Sequence, residues 1–200
     1  MIRIPRGKWR WFGWALLILF VAPGLVSCVS MAMNSDRRND SAGIAPDPHV
    51  TEAAVLQVYG AGVYGWRGLV ADHTWIATKP SGASHYTVYQ VIGWLQRRGL
   101  PVVSIKAGIP DRHWWGSKPK LLLDLQGSGV DELIDRVDAA ARGYPYANEY
   151  VMWPGPNSNS FIAWIALEVP ELDLELSWRA IGKGWMEDNY SEEVGGYSAE

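Results

Sequence analysis

The stretch that most limits how this chain can fold runs from Trp153 to Trp164, Trp-Pro-Gly-Pro-Asn-Ser-Asn-Ser-Phe-Ile-Ala-Trp, where a conformationally fixed turn meets an apolar segment. Pro154 and Pro156 restrict their own φ and push the residues before them out of the helical region, so a helix starts only at about Asn157. Asn157, Ser158 and Asn159 are all good N-cap residues, and Phe161, Ile162, Ile165 and Val169 recur at helical spacing until Pro170 ends the run. With Trp164 and Leu167 added, most of this helix is apolar, which predicts burial on several faces. A buried helix that begins with Asn-Ser aims free N–H groups and a hydroxyl into enclosed space. The same residues also make an ordinary N-cap, and spacing does not separate the two roles.

At the other end of the chain, Arg3, Arg6, Lys8 and Arg10 precede a stretch from Trp11 to Ser35 without a charged residue. Residues 1–34 therefore read as an export signal or membrane anchor. The apolar part, residues 11–33, is long enough to span a bilayer, and the basic flank stays cytoplasmic, so the remainder faces the periplasm or exterior. Leu25-Val26-Ser27-Cys28 resembles a bacterial lipobox, which makes Cys28, the single cysteine, the candidate lipidation site. In an uncleaved membrane helix Cys28 is instead a small apolar residue, although Pro23-Gly24 suits the end of a signal. Residues 35–50, charged and proline-containing, read as a solvated linker.

The rest of the chain reads as one domain, residues 51–186, and an acidic tail, residues 187–200. About 150 residues suffice for a sizeable core. A net charge of −3 offers no electrostatic case for nucleic acid. Twelve tryptophans against three phenylalanines are more than one core needs, so some are expected in a cleft or at a membrane interface.

Strands are predicted over 53–59, 69–78, 86–94, 101–106 and 120–125, with the second and third paired antiparallel across a turn at 79–84. On the second strand His73 shares a face with Leu69, Ala71, Trp75 and Ala77, so its ring points inward. The loop 111–116 carries a Trp114-Trp115 pair that serves either as a substrate wall or as a staple onto the core. Ser128 to Asp131 resembles a capping box for an amphipathic helix of about thirteen residues, and Gly143 ends it. Leu172, Leu174 and Leu176 alternate as a last strand would, followed by a flexible basic loop at 180–184.

This order, a strand histidine followed by further strands, a helix and a polar helix start, resembles the circularly permuted papain-like fold of the lecithin retinol acyltransferase and NlpC-type superfamily. There the acyltransferase motif reads Asn-Cys-Glu-His-Phe, over which Asn157-Ser158-Asn159-Ser160-Phe161 lies position for position. His73-Thr74-Trp75 is similar to the histidine motif. His-Thr-Trp-Ile-Ala, Trp-Pro-Gly-Pro-Asn-Ser-Asn and Ala-Ile-Gly-Lys resemble more closely a bacterial group called domain of unknown function 3750, a name without an activity. The resemblance implies an α+β fold, an antiparallel sheet with packed helices, and a site with Ser158 in the nucleophile position and His73 as base. Backbone N–H groups at Asn157 to Asn159 would supply an oxyanion hole, and Gln90 or Tyr89 would orient the histidine. Trp75 and Lys183 are further candidate binding residues.

Serine in place of cysteine changes the chemistry. A helix N-terminus stabilises an anion by up to about 2 kcal/mol when partly buried, enough to turn a thiol into thiolate at neutral pH but not to ionise a hydroxyl. Ser158 acts only with His73 in hydrogen-bond reach and an oxyanion hole beside it. Two functions are therefore expected. One is a non-catalytic module binding an envelope peptide, glycan or lipid. The other is a serine-dependent amide or ester hydrolase, or acyltransferase, acting on envelope components. His73, His85 and His113 lack metal-ligand spacing, and Gly60-Ala61-Gly62 lacks phosphate-loop spacing, so neither metal nor cofactor is expected.

Overall fold

The computed structural model describes residues 39–195. The stretch read as signal or anchor, and Cys28 with it, lies outside the described residues. Among the described residues no helix is long and apolar enough to cross a membrane.

Five strands form one antiparallel sheet in the order β4-β3-β2-β1-β5. They are β1 (Val55–Gly62), β2 (Asp72–Lys79), β3 (Thr87–Val91), β4 (Val103–Ala107) and β5 (Lys120–Gln126). Central strands β1 and β2 pair over their full length, from Val55 opposite Lys79 to Gly62 opposite Asp72. Both are buried on both faces, which is why their sequences lack a clean polar alternation.

One face of the sheet carries the helices. Leu56 and Val58 of β1, Ile76 of β2, and Tyr89 and Val91 of β3 pack there against α1 (Val130–Arg142) and α2 (Ser158–Glu168) in the main core. Val130, Ile134, Val137 and Ala141 form the buried stripe of α1, as its apolar spacing predicts. Its start differs from the expected capping box: Gly129 is the N-cap, without a side-chain cap, and Asp131 instead accepts hydrogen bonds from the Ser81 backbone (2.9 Å) and hydroxyl (2.5 Å). A carboxylate held across to the β2–β3 turn is not free to fold back on its own helix.

The opposite face holds a second core of Val55, Tyr59, Ala61, Trp75, Ala77, Tyr86, Val88 and Trp114. It is covered by two antiparallel stretches of chain. The loop 108–119 crosses from the end of β4 to the start of β5. Beside it run residues 40–48, whose Ile44 and Ala45 pack on the core. The buried Asp111 carboxylate binds this strap, accepting from the Ser41 hydroxyl (3.0 Å) and from the backbone N–H of Ile44 (2.6 Å) and Ala45 (3.2 Å). Residues 40–48 are thus a structural strap and not the solvated linker that their composition suggests; one carboxylate and three donors fix a segment with few apolar residues.

Two further expectations are corrected in the C-terminal part. Pro170–Leu172 form a single 3-10 turn and residues 173–179 pair with no strand, so Leu172, Leu174 and Leu176 are not a sixth strand. Leu172 and Leu176 turn into the main core, and Leu174 packs against it. Helix α3 (Lys183–Gly195) then occupies much of the span read as basic loop and acidic tail. Its Met186 is fully buried, and Trp185 and Tyr190 pack against the same core.

Candidate functional site

The start of α2 lies where the Pro-Gly-Pro stretch places it, and both Trp153-Pro154 and Gly155-Pro156 are cis. Asn157 is the N-cap. Its side-chain oxygen accepts from the N–H of Asn159 (2.8 Å) and Ser160 (3.2 Å), while the Ser160 hydroxyl accepts from the Asn157 N–H (3.2 Å), completing a reciprocal capping box. The Asn157 amide donates to the carbonyls of Met152 and Ile181, both at 3.0 Å. Asn159 links three elements: its amide donates to Asp72 O (3.0 Å) and Ile181 O (2.9 Å), and its oxygen accepts from the Thr74 hydroxyl (2.8 Å). The Ser160 hydroxyl donates to Gly182 O at 2.7 Å. Residues 180–182 therefore close over the helix start. At Gly182, with φ +94°, a Cβ would fall 2.2 Å from the Asn157 amide nitrogen, so glycine is required for this approach.

These bonds use two of the three N–H groups from which an oxyanion hole was expected. The N–H groups of Asn157 and Asn159 are already bonded to side chains, and Asn157, Ser158 and Asn159 are all buried. Ser158 accepts from the Thr74 hydroxyl at its backbone carbonyl (3.5 Å), and its own hydroxyl has no hydrogen-bond partner among the described residues.

His73 is on the other face of the sheet. Because side chains alternate along a strand, Thr74 faces α2 while His73 and Trp75 point into the second core. The imidazole stacks on Trp114, ring centroids 3.7 Å apart, and neighbours Trp75 at 5.7 Å. Its Nε2 lies 3.3 Å from Gln90 Oε1, which also accepts from the Arg112 guanidinium at 3.0 Å. The structure therefore brings His73, Gln90 and Trp75 together and separates them from Ser158, Asn157 and Asn159. The expected serine–histidine pair does not form: the histidine of the motif is one residue out of phase with the face that meets α2, and Thr74 holds that place.

The other candidates are also redistributed. Tyr89 faces the helices and donates to Asp138 of α1 at 3.2 Å, so it does not orient His73. Lys183 opens α3 and donates from Nζ to Leu176 O; backbone carbonyls of Ile181 and Gly182, rather than this ammonium, meet the helix start.

Burial is the chief reason that the His73 pKa is held down at about 3 from the ordinary 6.5; the Gln90 hydrogen bond opposes it in part, and the Arg112 charge adds a smaller lowering. The folded protein thus keeps a neutral imidazole where the unfolded chain takes up a proton below pH 6.5. A folded pKa below the unfolded one makes the stabilisation present above pH 6.5 and lost as pH falls toward 3. The expected loss is at most about 1.4 kcal/mol per pH unit from this group. Urea unfolding of wild type and His73→Gln at pH 7, 5 and 4 checks it: the variant should show a shallower decline, and parallel declines would contradict it.

Around His73 runs a ladder of rings. Tyr59 stacks on Trp75, Trp114 stacks on His73 and on Trp94 (5.9 Å), and Trp94 and Tyr64 both meet Trp115 edge-on at 5.9 Å. Arg112 sits over Trp114, 5.0 Å from the ring centroid. The inner rings are buried, whereas Trp94, Trp115 and Tyr64 are exposed. The Trp pair of the loop is divided: Trp114 staples the loop onto the core, and Trp115 faces out. Thr74, Arg112 and Trp94 were not singled out from sequence. Thr74, Ile76 and Thr78 do alternate as a second inward face, a signal that a strand buried on both sides would have given.

The fold and its candidate site define a small α+β domain in which an antiparallel sheet separates a capped, buried helix start from an aromatic ladder. A family model described as protein of unknown function (DUF3750) matches residues 53–185, and the chain belongs to that family. No curated protein and no solved structure matches the chain. Among the described residues no group of three or more His, Cys, Asp or Glu side chains is placed to hold a metal ion.

Proposed function

We propose that this chain is a membrane-tethered binding module of the cell envelope, descended from a permuted papain-like framework and without hydrolytic chemistry of its own. The observation that carries this reading is the placement of His73 and Ser158 on opposite faces of β2, with Thr74 between them bonded to Asn159. A serine hydroxyl without a base is a poor nucleophile, and a histidine that stays neutral in an aromatic stack is not in reach to activate it. A helix start set against a strand that carries a histidine supports the papain-like ancestry. The exposed rings of Tyr64, Trp94 and Trp115, held by a buried Trp114, supply a rigid surface on which the ring of a sugar, an aromatic peptide side chain or a lipid headgroup region can rest.

The test is fluorophosphonate labelling of the full-length chain beside Ser158→Ala and His73→Ala. The expected result is no labelling of wild type above the two variants. Labelling that disappears in both variants would instead establish the serine-dependent hydrolase or acyltransferase and end the non-catalytic reading.

A further inference from the structure

The five exposed tryptophans among the described residues, Trp66, Trp94, Trp115, Trp153 and Trp178, gather at one end of the sheet. The topology dictates this. The β1–β2 connection bearing Trp66 and the β3–β4 connection bearing Trp94 emerge at the same end, where Trp115 joins Trp94 and Tyr64. The start of α2, next to Trp153, is bonded to Asp72 at the first residue of β2. Arg179, next to Trp178, donates to Gly68 O and pairs with Asp72 at 2.9 Å. Leu69 and Leu100, 66% and 51% exposed, lie in the same two connections. At the opposite end the β2–β3 turn presents Ser81, Ser84 and His85 instead.

Charge is arranged with the same polarity. Between Glu52 and Asp111 the only acidic residue is Asp72, which is paired with Arg179. Arg67, Arg97 and Arg98 are exposed on the two connections. Other segments bring carboxylates to this end, Asp40 beside His113 (3.3 Å) and the exposed Glu149 near the β3–β4 connection. The charged groups of the two connections themselves are all cationic and stand beside exposed aromatic rings, a composition that suits contact with an anionic lipid headgroup layer.

The chain also enters the fold at this end. Asp40 O accepts from the His113 N–H at 2.9 Å, one residue from Trp114, and the strap then runs away toward Tyr86, whose hydroxyl donates to Pro46 O. The apolar part ends at residue 33, so residues 34–39 separate it from Asp40. Fully extended, they reach about 20 Å. Since residues 40–48 are taken up by the strap, an anchor over residues 11–33 keeps this end of the domain near the headgroups.

We propose that the aromatic and arginine-bearing end docks on an anionic lipid bilayer. The proposal rests on the tethered binding-module function and names a lipid surface as its partner. Trp and Tyr rings seat at the headgroup level, and Arg67, Arg97 and Arg98 meet lipid phosphates.

The test uses the full-length chain with Cys28→Ser, reconstituted in vesicles of phosphatidylglycerol and phosphatidylcholine that contain a lipid-borne quencher. A single thiol-linked fluorophore is placed by Leu69→Cys, by Leu100→Cys, or, at the far turn, by Ser84→Cys. Quenching several-fold stronger at the first two positions than at the third is expected. It should collapse in the Arg67→Glu/Arg97→Glu/Arg98→Glu variant and in vesicles of phosphatidylcholine alone. Equal quenching at all three positions overturns the docking, and a contrast that survives without anionic lipid overturns the assignment of the arginines. Neither outcome touches the non-catalytic reading, which stands or falls on the labelling of Ser158.

Discussion

Trp114→Ala is expected to lower the unfolding free energy by about 4 kcal/mol, in the range for truncating a buried aromatic side chain. Domains of this size are stable by roughly 5–15 kcal/mol, so much of the population would unfold in mild denaturant. The size of the effect comes from what the ring touches. It stacks on His73 at 3.7 Å, contacts Trp75 and Trp94, and lies under Arg112. Its removal also reopens the environment that holds the His73 pKa down at about 3, so the pKa should move back toward 6.5 and the loss of stability on acidification should become shallower. Urea unfolding at pH 7 and pH 5 measures both effects. Trp115→Ala is the control: half-exposed and edge-on to its neighbours, it should cost about 1 kcal/mol or less. Equal losses in the two variants would mean that the ladder is not keyed by its buried ring.

Asn159→Ala should cost about 3 kcal/mol, whereas Ser158→Ala, its immediate neighbour, should cost less than about 1 kcal/mol. Asn159 holds the Thr74 hydroxyl and the carbonyls of Asp72 and Ile181, and alanine leaves those buried groups without that partner. Each group so abandoned carries a desolvation penalty of about 1–3 kcal/mol, and the penalties overlap because Ile181 O keeps a bond from Asn157. Ser158 offers no comparable bond from its side chain. Thermal unfolding with calorimetry would separate the two variants. A Ser158→Ala loss as large as that of Asn159→Ala would show that the hydroxyl is held by something beyond the described residues.

Together these expectations recast the polar helix start. Asn157, Asn159 and Ser160 fasten β2, α2 and residues 180–182 to one another, with nearly every donor and acceptor used. A network so fully satisfied favours a single arrangement, since each member removed strands several partners. Such a junction resists motion. The chemistry-bearing residue types of the two sequence motifs are therefore divided between two tasks, fastening on one face of the sheet and filling an aromatic core on the other.

Much of this was legible in the residues. Pro154, Pro156 and Asn157 predict the start of α2 because fixed φ angles and a missing N–H act locally, and Pro170 ends it in the same way. The apolar stripe of α1 and the stop at Gly143 come from helical period and chain geometry. The antiparallel pairing of β2 with β3 comes from a short polar turn between two β-rich runs. Membership of the family was also legible, because short motifs survive as strings of residues. The strap was not. Its few apolar residues gave no sign of packing, and its attachment depends on Asp111, seventy positions after Ser41 in the chain. Nor did the alternation of Leu172, Leu174 and Leu176 make a strand: Leu172 sits in a 3-10 turn, and it and Leu176 are both buried in the main core.

The elements and their punctuation were set by the residues alone, since both rest on interactions within a few positions of the chain. Which of two adjacent residues meets the helix was left to long-range packing. In a strand buried on both faces the pattern of apolar residues carries no phase, and a shift of one position exchanges one face for the other. The packing of α2 on the Thr74 side sent His73 to the far side of the sheet, and with it the site that the two motifs, read together, had suggested.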